Sequence, residues 1–97
     1  MKTERFSIST ASGDVTVKLV FEFDMSVTSI REIKITGPSI EVLKYNDQKL
    51  QLNIKDGKYT LMYSENQELN SYNDRLSDEI AEKIGSILKN NENIQNH

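Results

Sequence analysis

Apolar and polar residues alternate along much of the chain before residue 64, which is the pattern of strands with one buried face. The clearest segment is 15–24, where nearly every second side chain is apolar. Its apolar face consists of Val15, Val17, Leu19, Phe21 and Phe23. Weaker alternation predicts five further strands, near residues 5–10, 32–36, 40–45, 49–55 and 59–63.

Short polar segments with glycine or proline mark turns between these strands. Asp56-Gly57 favours a two-residue hairpin, because a type I′ turn needs positive φ at both central positions. Gly37-Pro38 ends the third strand, since proline lacks the amide proton that a central strand donates to its ladder.

The period of the apolar residues changes from two to about four after residue 71, which predicts an amphipathic helix. One stripe is formed by Tyr72, Leu76, Ile80, Ile84, Ile87 and Leu88. The N-cap is expected from the Ser71-x-x-Asp74 pair or from Asn73. Gly85 either weakens the helix by about 1 kcal/mol relative to alanine or allows a close approach to the sheet.

These elements predict an α+β fold. We expect an antiparallel meander sheet of about six strands, open or partly closed into a barrel, packed by one C-terminal amphipathic helix. The chain has 97 residues, which is enough for one hydrophobic core. We therefore predict a single domain over residues 1–90 and a frayed polar tail over residues 91–97.

The residue types needed for most enzyme chemistry are scarce. The chain has no cysteine, and its one histidine, His97, is the last residue. Disulfides, thiolate chemistry, serine triads and the usual zinc sites therefore lack their parts. Its four glycines are too scattered for a phosphate-binding loop. We predict that the protein is not an enzyme and binds no metal or cofactor.

Two groups of oxygen-bearing side chains are the remaining candidates for site chemistry. Glu22 and Asp24 share one face of the second strand, and a solvated outer face explains them better than acid–base catalysis. Segments 64–68 and 70–74 are rich in carboxylates and amides but lack the calcium-loop pattern. A polar loop leading to a helix cap is the preferred interpretation.

Charge and apolar run length limit the partners. The net charge is −3, whereas general nucleic-acid binders are usually basic. The longest apolar run is the three-residue segment 19–21, which predicts no membrane-spanning segment, and no secretory signal follows Met1. We expect a cytoplasmic protein without direct nucleic-acid or membrane binding.

Acidic residues are concentrated in segment 64–82, where Arg75 is the one basic residue. Asp74, Asp78 and Glu82 recur every four residues and therefore form one ridge of the predicted helix. We call this set the acidic ridge. It is either a solvated helix face, favoured near the N-terminus by the helix dipole, or a surface for a basic protein partner.

A second candidate surface lies on the face of the sheet away from the helix. The fourth strand is irregular, and its outward pair is either Leu43 with Tyr45 or Ile40 with Val42. Together with Val20 and Met62, either pair leaves an apolar patch that favours partner docking or a homodimer. We name the patch Val20, Leu43, Tyr45 and Met62 the far sheet face. Curling of the sheet, or coverage by the loop 25–27, is the alternative.

These observations favour a small non-enzymatic protein-binding module. The high content of asparagine, isoleucine and serine is typical of a bacterial or phage source with an AT-rich genome. We expect an adaptor or inhibitor that acts by occluding a partner surface. The alternative is a ligand-binding or structural subunit of a larger assembly, and a less favoured one is an enzyme that uses carboxylates alone.

Overall fold

The computed structural model describes residues 1–25 and 27–95, with side chains described for 1–25 and 28–91. The strands are β1 (Lys2–Thr10), β2 (Gly13–Asp24), β3 (Val27–Thr36), β4 (Leu50–Lys55), β5 (Lys58–Glu65) and β6 (Glu68–Ser71). A 3₁₀ helix, Ile40–Tyr45, lies between β3 and β4, and helix α1 spans Arg75–Gln95. Ser26, in the loop proposed as a cover, and His97 lie outside the described residues.

The strands form two sheets rather than one. Each is antiparallel and three-stranded, in the orders β1-β2-β3 and β4-β5-β6. The mixed fold with antiparallel strands and a C-terminal helix is confirmed, whereas a single meander sheet of six strands is not, and the described strands do not close into a barrel. The predicted hairpin is confirmed, because Lys55 pairs with Lys58 and both Asp56 and Gly57 have positive φ.

The predicted fourth strand is wrong, because residues 40–45 form the 3₁₀ helix. Ser39 begins this helix, and its hydroxyl accepts a hydrogen bond from the backbone N–H of Glu41. Val42 and Tyr45 are buried at a spacing of three residues, which matches the 3₁₀ repeat and not the repeat of two in a strand. Neither orientation proposed for a strand therefore applies.

Strand β6 comes from the polar segment expected to be a loop. Asn66 and Gln67 both have positive φ and form the tight turn that returns the chain to β5. β6 ends at Ser71, and the next residue, Tyr72, donates its backbone N–H to the carbonyl of Leu61 at 3.0 Å. β6 is therefore a strand because its backbone pairs with β5, although its own sequence has no alternation of apolar residues.

The core lies between the inner faces of the two sheets and α1. Helix α1 packs mainly on β5 and also contacts β2. The fully buried apolar side chains are Val15, Val17, Leu19, Phe21, Leu61, Ile80, Ala81 and Ile84. The alternation of β2 and the stripe of the helix therefore form one continuous core, as the sequence pattern predicts.

Helix α1 continues past residue 90, where the sequence pattern ends the predicted domain. Asn91 contacts β1, because Lys2 Nζ donates a hydrogen bond to its Oδ1 atom at 2.8 Å. The fraying predicted for 91–97 stays a prediction, and its last two residues lie outside the described part of the chain.

Candidate functional site

A groove separates the two sheets, and its walls are the neighbouring edge strands β3 and β4. Some Cα atoms of β3 and β4 lie within 8 Å of each other, yet the two strands are not paired in either sheet. The groove has a volume of about 990 Å³. We call it the β3–β4 groove and define it by residues 28 and 30–36, 45–52, 54, 59 and 88, which line it.

Apolar side chains supply much of the groove's inner surface. Tyr45, Tyr59 and Leu88 line it from the 3₁₀ helix, β5 and α1, respectively. Leu52 and Ile54 line it from β4 and face the same way as Leu61, because these strands pair Leu52 with Leu61. The exposed fraction of Ile54 is 59%, which is high for an isoleucine beside an otherwise buried core. Apolar surface is therefore accessible from solvent here.

The charged groups of the groove balance one another. Its lining includes Arg31, Glu32, Lys34, Asp47 and Lys49. Arg31 is already neutralised, because its Nη2 atom lies 2.6 Å from Oε2 of Glu22. Two lysines and two carboxylates remain, so the groove has no strong preference for a charged partner.

The acidic ridge is not uniformly available, because Asp74 has partners of its own. Asp74 precedes α1 and caps it, since Oδ2 accepts from the backbone N–H of Ser77 at 3.1 Å. The same oxygen accepts from Lys44 Nζ at 2.7 Å. Asp78 is half-buried and Glu82 is exposed. A binding role for the ridge stays a prediction, in which Glu82 is the most accessible carboxylate.

Tyr45, Ser77 and Asp74 form a chain of hydrogen bonds beneath the helix N-terminus. The Ser77 hydroxyl donates to Oδ1 of Asp74 at 2.8 Å. Because a serine has one hydroxyl proton, the Tyr45 hydroxyl is the donor in its 2.6 Å contact with Ser77 Oγ. Ser77 is 1% exposed, so its hydroxyl is not accessible to a substrate. The arrangement is a structural cap.

The pKa values of two tyrosines, Tyr45 and Tyr72, are raised, whereas the pKa of Asp74 is lowered. Burial is the main cause that raises the pKa of the Tyr45 hydroxyl, and it also raises the pKa of Tyr72 to about 12. Burial alone would raise the pKa of Asp74 as well. The hydrogen bonds from Lys44 and Ser77 outweigh that effect and hold the pKa of Asp74 below its usual value.

The lowered pKa of Asp74 predicts a pH-dependent contribution to stability. A carboxyl with a lower pKa in the folded chain stabilises it above the unfolded pKa, and this is lost as pH falls through the folded pKa. Asp74→Asn should therefore lower the free energy of unfolding by at most about 1 kcal/mol at pH 7, because asparagine still caps and the pair is partly solvated. Urea unfolding between pH 7 and pH 2 should show the two proteins converging at acid pH.

Lys44→Gln is the matched control for that experiment, because it removes the cation and leaves the cap intact. In the Lys44→Gln background, Asp74→Asn should lose most of its pH-dependent effect. An Asp74→Asn cost that stays constant down to pH 2 would contradict the ion-pair explanation.

The structure does not bring the residues of the far sheet face together. Val20 lies on the outer face of the first sheet, and Met62 lies on the outer face of the second. Leu43 is 61% exposed on the 3₁₀ helix, whereas Tyr45 is 4% exposed. Tyr45 is thus a core residue, which corrects the expectation that it faces solvent. Partner binding by Val20, Leu43 or Met62 stays a prediction.

The other candidate chemistry is also constrained by the geometry. Glu22 is held by Arg31, so the Glu22 and Asp24 carboxylates are not both unpaired. In the described part of the chain, no three side chains of metal-ligating type cluster so that they could hold an ion. Over the same residues, no helix has the length and apolar character needed to cross a membrane.

The β3–β4 groove was not predicted from the sequence. The alternation predicts β4 nearly in full but only residues 32–36 of β3. It also does not show that β3 and β4 fail to pair with each other. The one local signal is the Gly37-Pro38 interruption after β3, followed by the 3₁₀ helix, which separates β3 and β4 by a long irregular connection. Such a connection permits a sheet to divide, although it does not require it.

Comparison of the chain with protein-family models, with curated proteins and with solved structures finds no match.

Proposed function

We propose that the chain is a small non-enzymatic protein-binding module and that the β3–β4 groove is its binding surface. The observation that carries the proposal is an accessible apolar surface between two strand edges, residues 30–36 of β3 and β4, that have no ladder partner among the described residues. Edge strands offer rows of backbone donors and acceptors, which a polypeptide can satisfy along its whole length. Binding there occludes a segment of the partner, which is how an adaptor or inhibitor acts.

The distribution of reactive groups supports binding over catalysis. Asp74 is used by Lys44 and Ser77, and Ser77 itself is buried. The charges that line the groove belong to separate segments, the strand β3 and the loop 46–49. An enzyme that uses carboxylates alone is therefore the weaker hypothesis, because acid–base catalysis needs its carboxyl groups placed together.

A ligand-binding subunit is the second candidate, and the groove volume favours it. A volume of about 990 Å³ lies at the upper end of the range for small-molecule sites. The same volume also accommodates part of an extended polypeptide. The backbone groups on the open sides of residues 30–36 of β3 and of β4 favour the polypeptide, because a small apolar ligand would leave most of them without a partner.

The proposal can be tested by selecting peptides from a phage-displayed library of random linear twelve-residue sequences on the immobilised full chain. We expect selected peptides to bind Ile54→Lys at least about tenfold more weakly than the natural protein, because the substitution places a charge in the apolar groove. Isothermal titration calorimetry measures the ratio. Leu69→Lys is the matched control, because Leu69 is similarly exposed (55%, against 59% for Ile54) on β6, which does not line the groove.

Several outcomes would contradict the proposal. If selection yields only peptides that bind both lysine variants equally, their binding site lies elsewhere. A small molecule that remains bound in native mass spectrometry and is lost in Ile54→Lys would favour the ligand-binding subunit. Binding that weakens steeply with salt would favour the acidic ridge, because the charges of the groove balance.

Light scattering on the same samples tests the predicted homodimer.

A further inference from the structure

We propose that the bound segment is one extended strand of the partner that inserts between β3 and β4 and pairs with both. The two three-stranded sheets would then become one continuous sheet. This inference rests on the proposed function, because it specifies the conformation of the polypeptide bound in the β3–β4 groove.

The first argument for an inserted strand is that both walls of the groove present backbone groups to it. β3 pairs with β2 on one side, and β4 pairs with β5 on one side. Apart from the ladders and helices, the described backbone hydrogen bonds are confined to residues 39–48, 61 with 72, and 74 with 78. The second side of residues 30–36 of β3 and the second side of β4 therefore have no backbone partner among the described residues. A strand placed between them can bond to both sides at once.

The second argument concerns side chains, because those lining the groove determine which residues the inserted strand needs. Successive residues of a strand point to opposite faces, so an inserted segment has one inward and one outward face. Its inward side chains would meet Tyr59, Leu88 and the apolar residues of β4. Its outward side chains would lie in solvent. The partner segment is therefore a stretch of alternating apolar and polar residues with no required net charge.

The lengths of the walls limit the paired segment. β3 has ten residues and β4 has six, so about six residues of the partner can pair with both strands. A strand between two others needs its neighbours about 9.6 Å apart, which is twice the usual spacing. Some Cα atoms of β3 and β4 lie within 8 Å, so binding must move these edges apart. No backbone ladder joins the sheets, so this movement breaks no sheet hydrogen bond.

An N-methyl scan of the tightest peptide from the display library tests the pairing. N-methylation removes one backbone donor, and consecutive residues of a strand direct their N–H groups to opposite sides. If the peptide pairs with both walls, methylation at each of about six consecutive central residues should weaken binding at least tenfold. If it pairs with one wall, only alternate residues will be sensitive, and if only side chains dock, none will be.

Amide hydrogen exchange of the full chain, with and without saturating peptide, gives the second measurement. We expect exchange to slow at least tenfold for amides in both β3 and β4 that exchange fast in the free protein. The outer edges of β1 and β6 serve as internal controls and should not change. Protection of one wall alone, or of neither, would overturn the inference.

The two proposals fail in different ways. If no selected peptide depends on Ile54, the groove is not the binding surface and both proposals fail. If peptides depend on Ile54 but show alternate or absent N-methyl sensitivity, the groove binds polypeptide and only the inserted strand is wrong. A scan sensitive at consecutive positions, together with protection of both walls, establishes the inserted strand.

Discussion

Ile84→Ala is expected to lower the free energy of unfolding by about 2–5 kcal/mol, because it leaves a cavity at a position that cannot collapse easily. Ile84 is 0% exposed. It lies on the face of α1 that packs on the sheets, in the same buried cluster as Leu61 and Ile80. Urea denaturation followed by far-ultraviolet circular dichroism measures the change. Because a domain typically has a free energy of unfolding of about 5–15 kcal/mol, the variant should lose a large fraction of its stability.

Ile87→Ala is the matched control, because it removes the same atoms from the next apolar position of the same helix. Ile87 is only partly buried, so its loss leaves a smaller cavity and should cost clearly less. Equal costs at positions 84 and 87 would mean that α1 does not present the Ile80 and Ile84 face to the core.

The core could be predicted because it depends on short-range periodicity. The alternation from Val15 to Phe21 specifies one buried face, since shifting the register by one residue would expose every apolar side chain. The helical stripe from Leu76 to Leu88 likewise specifies which side of α1 meets the sheets. Each pattern lies within one element, so it can be detected without knowing what the element packs against.

The division into two sheets could not be predicted in the same way, because it depends on long-range pairing. Residues 40–45 contain enough apolar side chains for a strand, and the choice of a 3₁₀ helix depends on the cap at Ser39 and on the burial of Val42 and Tyr45. Conversely, β6 has little apolar alternation and forms because the turn at Asn66 and Gln67 returns it to β5. Tertiary context decides both cases.

The site was less predictable than the core for a related reason. The spacing of Asp74, Asp78 and Glu82 predicts a ridge, but it does not show that Lys44, thirty residues earlier, pairs with its first carboxylate. Exposed apolar residues such as Ile54 are also invisible to the pattern, because the alternation of β4 predicts that this side chain is buried. The groove lies between β3 and β4, which do not pair with each other, and no local sequence feature records that.

Gly85→Ala is expected to destabilise the protein by about 1–3 kcal/mol, although alanine is the better helix former by about 1 kcal/mol. A Cβ atom at position 85 would lie 2.5 Å from Cδ2 and 2.6 Å from Cε2 of Tyr59. The ring of Tyr59 is half-buried on β5, so either this ring or the backbone of α1 must shift to accommodate the new atom. Glycine at this position therefore permits the close contact between α1 and β5.

A double-mutant cycle with Tyr59→Ala separates the steric cost from the helix propensity. Once the ring is removed, Gly85→Ala should change sign and stabilise the protein by about 1 kcal/mol, since only the propensity gain remains. Ser86→Ala is the matched control, because Ser86 is the exposed neighbour on the same helix and should respond equally with or without the ring. Thermal or urea unfolding of the natural protein and the five variants provides the comparison. If Gly85→Ala stabilises the protein with Tyr59 present, α1 and β5 are further apart than this contact requires, and the glycine is a helix defect without a packing role.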